Sequence, residues 1–254
     1  MLLCIDSGNS KTKWAVFNSA GEISHVGSCL NNGLSTKLFP PATLYQRVML
    51  SNVAGEKQQA CLINHLAGAS KPVHTLQSSA CLGELRNHYQ PGQSLGSDRF
   101  AAMLAAYHMT GSSCVVVNAG TAVTIDALSI KHKQADFIGG WILPGYQLMQ
   151  QSLTLNTAQL PNTVGLSPLA NKAVFADNTQ DAMQLGALHG IIGAIQGMLN
   201  ALSERDGHAS LIVSGGDASL IKSHLPVTTP CTIVDNLVLH GLYFIDRLQQ
   251  SESP

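Results

Sequence analysis

The chain has 254 residues, 45% of them hydrophobic and 11% charged, with a formal net charge of -1. That balance supplies core for one large domain or two modest ones and excludes a disordered chain. It provides no global basic field for nucleic acid or an anionic membrane, so neither is an expected partner and any phosphate chemistry must come from local sites. The six cysteines form no C-x-x-C pair and sit mostly among apolar neighbours, where cysteine behaves as a small hydrophobe. Residues 1–5 run into a polar turn without a signal-peptide pattern, so a reduced, cytoplasmic setting is expected. The ten histidines are dispersed and show no zinc-ligand spacing.

Residues 2–6 form a short apolar run that ends in Ser7-Gly8-Asn9-Ser10, and a second run covers 13–17. The pattern predicts strand, tight turn, strand. Asn18-Ser19-Ala20-Gly21 is another turn signal, and 23–29 is a candidate third strand. Between 31 and about 90, short apolar runs mix with Pro40-Pro41 and with helix-like spacing over 44–50. From Asp98, the positions Phe100, Met103, Leu104 and Tyr107 have helical spacing. Residues 114–117 read as a buried strand, followed by the turn Asn118-Ala119-Gly120-Thr121 and a strand through Val123 and Ile125.

A long helix is predicted from Thr179 to about Arg205, with Thr179 as its N-cap and Asp181 in the first turn, where its charge suits the dipole. Its Gly186, Gly190, Gly193 and Gly197 each cost about 1 kcal/mol relative to alanine, which points to close approach of another backbone. Residues 183–202 are mostly apolar but carry Gln184, His189, Gln196 and Asn200 and lack flanking anchors, so a buried helix is expected rather than a membrane span. A strand over 211–213 runs into Ser214-Gly215-Gly216-Asp217, and a closing helix covers 237–249. Strands interleaved with helices give an α/β fold.

The two polar turns align with each other. Ile5-Asp6-Ser7-Gly8-Asn9 and Val117-Asn118-Ala119-Gly120-Thr121 both read strand end, polar, small, glycine, polar. This short repeat suggests a duplicated, two-lobed chain, with one lobe over 1–112 and the other over 113–254.

Glycine in a strand-to-strand turn lets backbone amides approach phosphate oxygens, with Asn9, Ser10 and Lys13 as added donors and Asp6 as a holder of hydrated magnesium. An ordinary hairpin uses the same residues, and no Walker pattern exists in the chain. Ser214-Gly215-Gly216 would let a nucleoside lie against the backbone. In Gly96-Ser97-Asp98-Arg99, Asp98 is either a helix cap or a general base that takes a proton from an attacking hydroxyl. A helix N-terminus would keep its carboxylate ionised. Arg99 either binds an acidic substrate or transferring phosphoryl group, or forms a surface ion pair.

Taken in order, these motifs resemble the type III pantothenate kinases, a branch of the superfamily of acetate and sugar kinases, actin and heat-shock chaperone ATPases. The pattern D-x-G-N-[TS]-x-x-K-W appears as Asp6 to Trp14, G-x-D-R as Gly96 to Arg99, with Tyr89 shortly before it, and G-T-A as Gly120-Thr121-Ala122. G-G-x-I-x-P-G is Gly139 to Gly145, Thr179 heads the long helix, and 236–242 resembles the family's closing segment. The resemblance implies two lobes of duplicated actin-like, ribonuclease H-like fold with mixed sheets, flanking helices and an active site in the cleft.

It further implies that ATP with magnesium is bound by Asp6, Ser7, Gly8, Asn9, Ser10, Lys11, Thr12, Lys13, Gly120 and Thr121, with Gly215 and Gly216 on the adenosine side. Asp98 would be the proton acceptor. Tyr89, Gly96, Ser97, Asp98, Arg99 and Thr179 would bind pantothenate, giving 4'-phosphopantothenate for coenzyme A synthesis. A homodimer built through the second lobe is implied as well, with the glycine-lined helix a contributor. Where the family carries an aspartate for a monovalent cation, potassium or ammonium, this chain has Asn118, which predicts a weakened or absent requirement. Two alternatives remain: an accessory protein without catalysis, and a kinase for another small hydroxyl compound.

Overall fold

The computed structural model describes residues 1–33, 39–157, 159–163 and 175–251. They form two compact units, one made of residues 1–111, 132–137 and 236–254, the other of 112–131 and 138–235.

In the first unit, β1 (Leu2–Ser7), β2 (Lys11–Phe17) and β3 (Ile23–Leu30) form an antiparallel meander, and β4 (Arg47–Asn52) and β5 (Val73–Thr75) add in parallel beyond β1. The sheet order is β3-β2-β1-β4-β5. Leu3, Ile5, Val16, Val48 and Leu50 pack with Leu62 and Leu66 of α1 (Glu56–Ala67). The helical reading of 44–50 is corrected here: Ala42–Leu44 is a 3-10 turn and the rest enters β4. A central strand buried on both faces shows a continuous apolar run instead of alternation, so its period was misleading.

Also in this unit, α2 (Ser97–Thr110) packs on α6 (Leu237–Ser251). A Cβ at Gly241 would overlap the Ala101 carbonyl, so glycine is what lets the two backbones touch. Arg47 grips Asp246 of α6 in a two-pronged ion pair, Nε to Oδ1 at 2.7 Å. The closing helix, assigned by sequence to the lobe over 113–254, thus packs within the first unit. Short strands β6 (Cys81–Leu82) and β7 (Leu85–Asn87) form a hairpin. β7 pairs in parallel with residues 135–137 of β10 (Gln134–Pro144).

The second unit repeats the plan. β8 (Cys114–Ala119) pairs antiparallel with β9 (Ala122–Lys131), and β11 (Ser210–Ser214) and β12 (Cys231–Ile233) add in parallel on its other side. With the later part of β10 the order is β12-β11-β8-β9-β10, strand for strand the topology of the first unit. α3 (Tyr146–Asn156), α4 (Thr179–Asp206) and α5 (Ala218–His224) accompany this sheet.

α4 has the length and composition of a membrane-crossing helix. One face of it, Leu188, Ile191, Ile192, Ile195 and Leu199, packs with Val115, Val117, Val123 and Ile125 of the sheet strands. Each such side chain contributes roughly 1.5–3 kcal/mol when fully buried. Its N-cap is Asn178, not Thr179: the Asn178 Oδ1 accepts from the Asp181 N–H at 2.9 Å. Asparagine is the more favourable N-cap residue of the two. Apart from α4's own backbone, nothing among the described residues lies within 4 Å of where a Cβ would stand on Gly186, Gly190 or Gly193, so no other described backbone closes on them. Gly197 instead faces the Trp141 ring.

Candidate active site

The first turn joins β1 to β2, with Asp6 opposite Lys13 in the ladder. The Gly8 N–H donates to the Lys11 carbonyl at 3.0 Å and closes the turn. Asn9, Ser10 and Lys11 stand at its exposed tip, while Ser7 and Thr12 are buried with their hydroxyls 3.1 Å apart. Asp6 is half-buried, and its pKa is pushed up to about 7. Burial is the chief cause, the Asp98 carboxylate adds to it, and Lys13 opposes both. The first turn and the Asp98 segment therefore share one electrostatic environment, though 92 positions apart in sequence.

Asp98 is the second residue of α2, whose N-cap is Gly96, without a side-chain capping bond. The Asp98 Oδ1 accepts from the Arg99 N–H at 2.8 Å. A Cβ on Gly96 would stand 2.6 Å from that same oxygen, which gives the glycine a specific role in making room for the carboxylate. Burial raises the Asp98 pKa more than the Arg99 backbone bond and charge lower it. Desolvation thus opposes the ionising influence expected of the helix N-terminus. The Ser97 hydroxyl meets Ser51 of β4 at 2.8 Å, both buried, and fixes the helix start to the sheet.

Arg99 is 4% exposed and so cannot be a surface ion pair. Its guanidinium carbon lies 5.3 Å from the centroid of Tyr89 and 5.6 Å from that of Phe137, within cation–π range. The two rings stack at 6.0 Å. Asn87 holds the Tyr89 loop: its Nδ2 donates to the carbonyls of Ser79 and Gly92, and its Oδ1 accepts from the Tyr89 N–H at 3.0 Å. Neither Phe137 nor Asn87 stands out in the sequence. Phe137 reaches Tyr89 only through the pairing of β10 with β7, a contact between segments 48 residues apart.

In the second unit, the Gly120 N–H donates to the Ala122 carbonyl at 3.1 Å, closing a turn one residue shorter than the first. Two more segments press against it. The Gly145 N–H donates to the Thr121 carbonyl at 2.9 Å, and a Cβ there would overlap the carbonyls of Gly120 and Thr121. Gly215 has φ +102° and packs on Ala119 so closely that a Cβ would overlap its carbonyl. Gly216 and Thr121 are exposed beside them, and Asn118 is half-buried, facing Thr124 and Ser214 in the ladders. Thr179 is exposed at the first position of α4. Asp6 to Lys13, Tyr89 and Gly96 to Arg99 thus belong to the first unit, and Asn118, Gly120, Thr121, Thr179, Gly215 and Gly216 to the second.

A duplicated sheet with a glycine turn after the leading strand of each copy is the actin-like fold of sugar kinases and related ATPases. Solved structures with this fold include the activator of 2-hydroxyisocaproyl-CoA dehydratase from Clostridium difficile with bound ADPNP. It has a TM-score of 0.53, 11% identity, and coverage of 99% of this chain and 96% of that one. The ethanolamine utilization protein EutJ from Carboxydothermus hydrogenoformans gives 0.55 at 12% identity, covering 96% and 89%.

Within that class the chain belongs to the type III pantothenate kinase family, whose model matches residues 2–201. It is 41% identical to the type III pantothenate kinase of Methylobacillus flagellatus, over 97% of this chain and 98% of that protein. To the enzyme of that name from Janthinobacterium sp. it is 40% identical, over 96% and 97%.

Proposed function

We propose that this chain transfers the γ-phosphoryl group of ATP to the terminal hydroxyl of pantothenate, giving 4'-phosphopantothenate and ADP, the entry to coenzyme A synthesis. The observation that carries this reading is the grouping of Asp98, its pKa raised by burial, with the buried Arg99 and its aromatic partner Tyr89. Full-length relatives named for the same reaction support it.

In the reaction, the pantothenate hydroxyl oxygen bonds to the γ-phosphorus as the bond to the bridging oxygen breaks, and ADP leaves with that electron pair. Asp98 takes the hydroxyl proton. Arg99 and Tyr89, with Gly96, Ser97 and Thr179, bind pantothenate, the guanidinium serving its carboxylate. The turn from Asp6 to Lys13 and the Gly120-Thr121 turn hold the phosphates, and Gly215-Gly216 lie on the adenosine side. Asp6, half-buried and next to Lys13, suits a hydrated magnesium ion, which would supply charge neutralisation on the phosphates. Positioning and charge carry most of the catalysis.

Three finer features complete the proposal. The site is cytoplasmic. The monovalent-cation position holds Asn118, an amide oxygen without charge, so the cation contributes little. The chain works as a homodimer, and the exposed glycine edge of α4 with the partly exposed Trp141 beside Gly197 is the surface a second copy would cover. The accessory-protein alternative rests on Asn118 alone, and the retained Asp98, Arg99 and Lys13 weigh against it. Replacing Asp98 by asparagine tests the assignment: turnover should fall about 10²–10⁴-fold, the usual worth of a general base, with ATP affinity kept. Unchanged turnover would remove Asp98 from the mechanism.

A further inference from the structure

Behind the first turn lies a side-chain network centred on Asn31, just after β3. The Asn31 Nδ2 donates to the carbonyl of Gly8 at 2.8 Å and to that of Asn9 at 3.0 Å. Its Oδ1 accepts from the Thr12 hydroxyl at 2.9 Å, and its own N–H donates to the Ser10 carbonyl at 3.1 Å. Thr12 has one hydroxyl hydrogen, spent on Asn31, so its oxygen must accept from Ser7 at 3.1 Å and from Gln58 Nε2 at 3.4 Å. This chain of bonds fixes which way the Asn31 amide faces: oxygen to Thr12, nitrogen to the turn.

The consequence follows from peptide geometry. Gln90-Pro91 is the one cis peptide among the described residues, so the bonds joining Gly8 to Asn9 and Asn9 to Ser10 are trans. In a planar trans peptide the carbonyl and the following N–H point in opposite directions. Holding the Gly8 and Asn9 carbonyls inward therefore aims the Asn9 and Ser10 N–H groups outward, as an anion-binding turn requires. We propose that Asn31 is a positioning residue for ATP: it touches no phosphate itself but orients the backbone donors that do. This rests on the reading of the Asp6–Lys13 turn as a phosphate site.

The test uses the full chain with Asn31→Ala and Asn31→Leu, which remove both side-chain donors, and with Thr12→Val, which keeps shape but frees the Asn31 amide to turn. With both carbonyls released, the turn's donors are no longer held toward the phosphates, and the ATP KM should rise roughly 10- to 30-fold for the Asn31 variants. A smaller rise is expected for Thr12→Val. Pantothenate KM should change less than about twofold, and adenosine, which has no phosphates, should bind by calorimetry as it does to the unaltered protein. An unchanged ATP KM overturns the proposal, as does an equal weakening of ATP, adenosine and pantothenate, which would mark Asn31 as merely structural. Gly8→Val separates the two levels. If it raises the ATP KM while the Asn31 variants do not, the positioning role alone is wrong; if it leaves the ATP KM unchanged, the phosphate reading of the turn falls too.

Discussion

The Arg99 guanidinium lies over two neighbouring rings, 5.3 Å from the centroid of Tyr89 and 5.6 Å from that of Phe137. A planar cation stacks on such faces, whereas an ammonium is a compact and strongly hydrated point charge. Arg99→Lys should therefore keep the charge and still raise the pantothenate KM about tenfold or more, the worth of a lost bidentate or stacked contact. Steady-state kinetics with pantothenate as the varied substrate checks this, and ATP KM should barely move. Phe137→Leu should produce a weaker version of the same change.

Asp6 gives a prediction about pH and stability. Its folded pKa of about 7 lies above the ordinary carboxylate value, so the folded chain holds that proton more tightly than the unfolded chain. The stability this provides is fully present below about pH 4 and is lost as pH rises through about 7. Asp6→Asn removes the effect. In the absence of nucleotide, the variant should be more stable than the parent at pH 8 by roughly 1–3 kcal/mol, since one pKa unit is worth about 1.4 kcal/mol. The two proteins should converge near pH 4. Thermal melts across that range read it out, and Asp6→Asn should lose activity as it gains stability.

As the proposed proton acceptor, Asp98 should shape the acid limb of the rate. Burial raises its pKa, so activity should fall off with decreasing pH at a point above the usual carboxylate range near 4. A kcat/KM profile flat down to about pH 4 would contradict its role as the proton acceptor.

Gly145 and Gly215 are predicted to be intolerant positions. At either one a Cβ would overlap a backbone carbonyl, of Gly120 and Ala119 respectively, so a flexible side chain cannot move aside to admit it. Either alanine substitution should cost roughly 1–3 kcal/mol of stability, the usual penalty of overpacking, and should disturb ATP binding through the second turn. Gly186→Ala, on the open edge of α4, should be neutral to stabilising for a single chain because alanine is the better helix former. If that edge is the dimer contact, the same change should weaken dimerisation in sedimentation.

Asn118 predicts weak response to potassium. Asn118→Asp should restore a charged ligand and with it a clear activation by potassium or ammonium, read from initial rates. Strong activation of the unaltered protein by low potassium would contradict this.

Much of the fold was legible because the strands flanking both turns carry local signals: an apolar run, a polar glycine turn, a second run. The α2 helix announces itself by spacing, and α4 by its start signals and long apolar run. Residues 44–50 were not legible, since β4 is buried on both faces and loses the alternation that marks a strand. The closing helix carries a clear amphipathic pattern, but its partner is not written locally; Gly241 against Ala101 and Asp246 against Arg47 place it within the first unit. Asp98 and Arg99 could be picked from their motif, and Tyr89 from the family resemblance. Asn87, Phe137 and Asn31 could not, because each acts through partners brought close by strand pairing or loop closure and belongs to no short pattern.

The account's central claim is ATP-dependent phosphorylation of pantothenate, and the most direct test is ADP formation by the purified chain with magnesium and ATP, with and without pantothenate, and across a potassium and ammonium series. The predicted result is ADP release that requires pantothenate, matched mole for mole by phosphopantothenate and only weakly responsive to the cation. A folded protein that releases no ADP under any cation would contradict the claim and return the accessory-protein reading to the front.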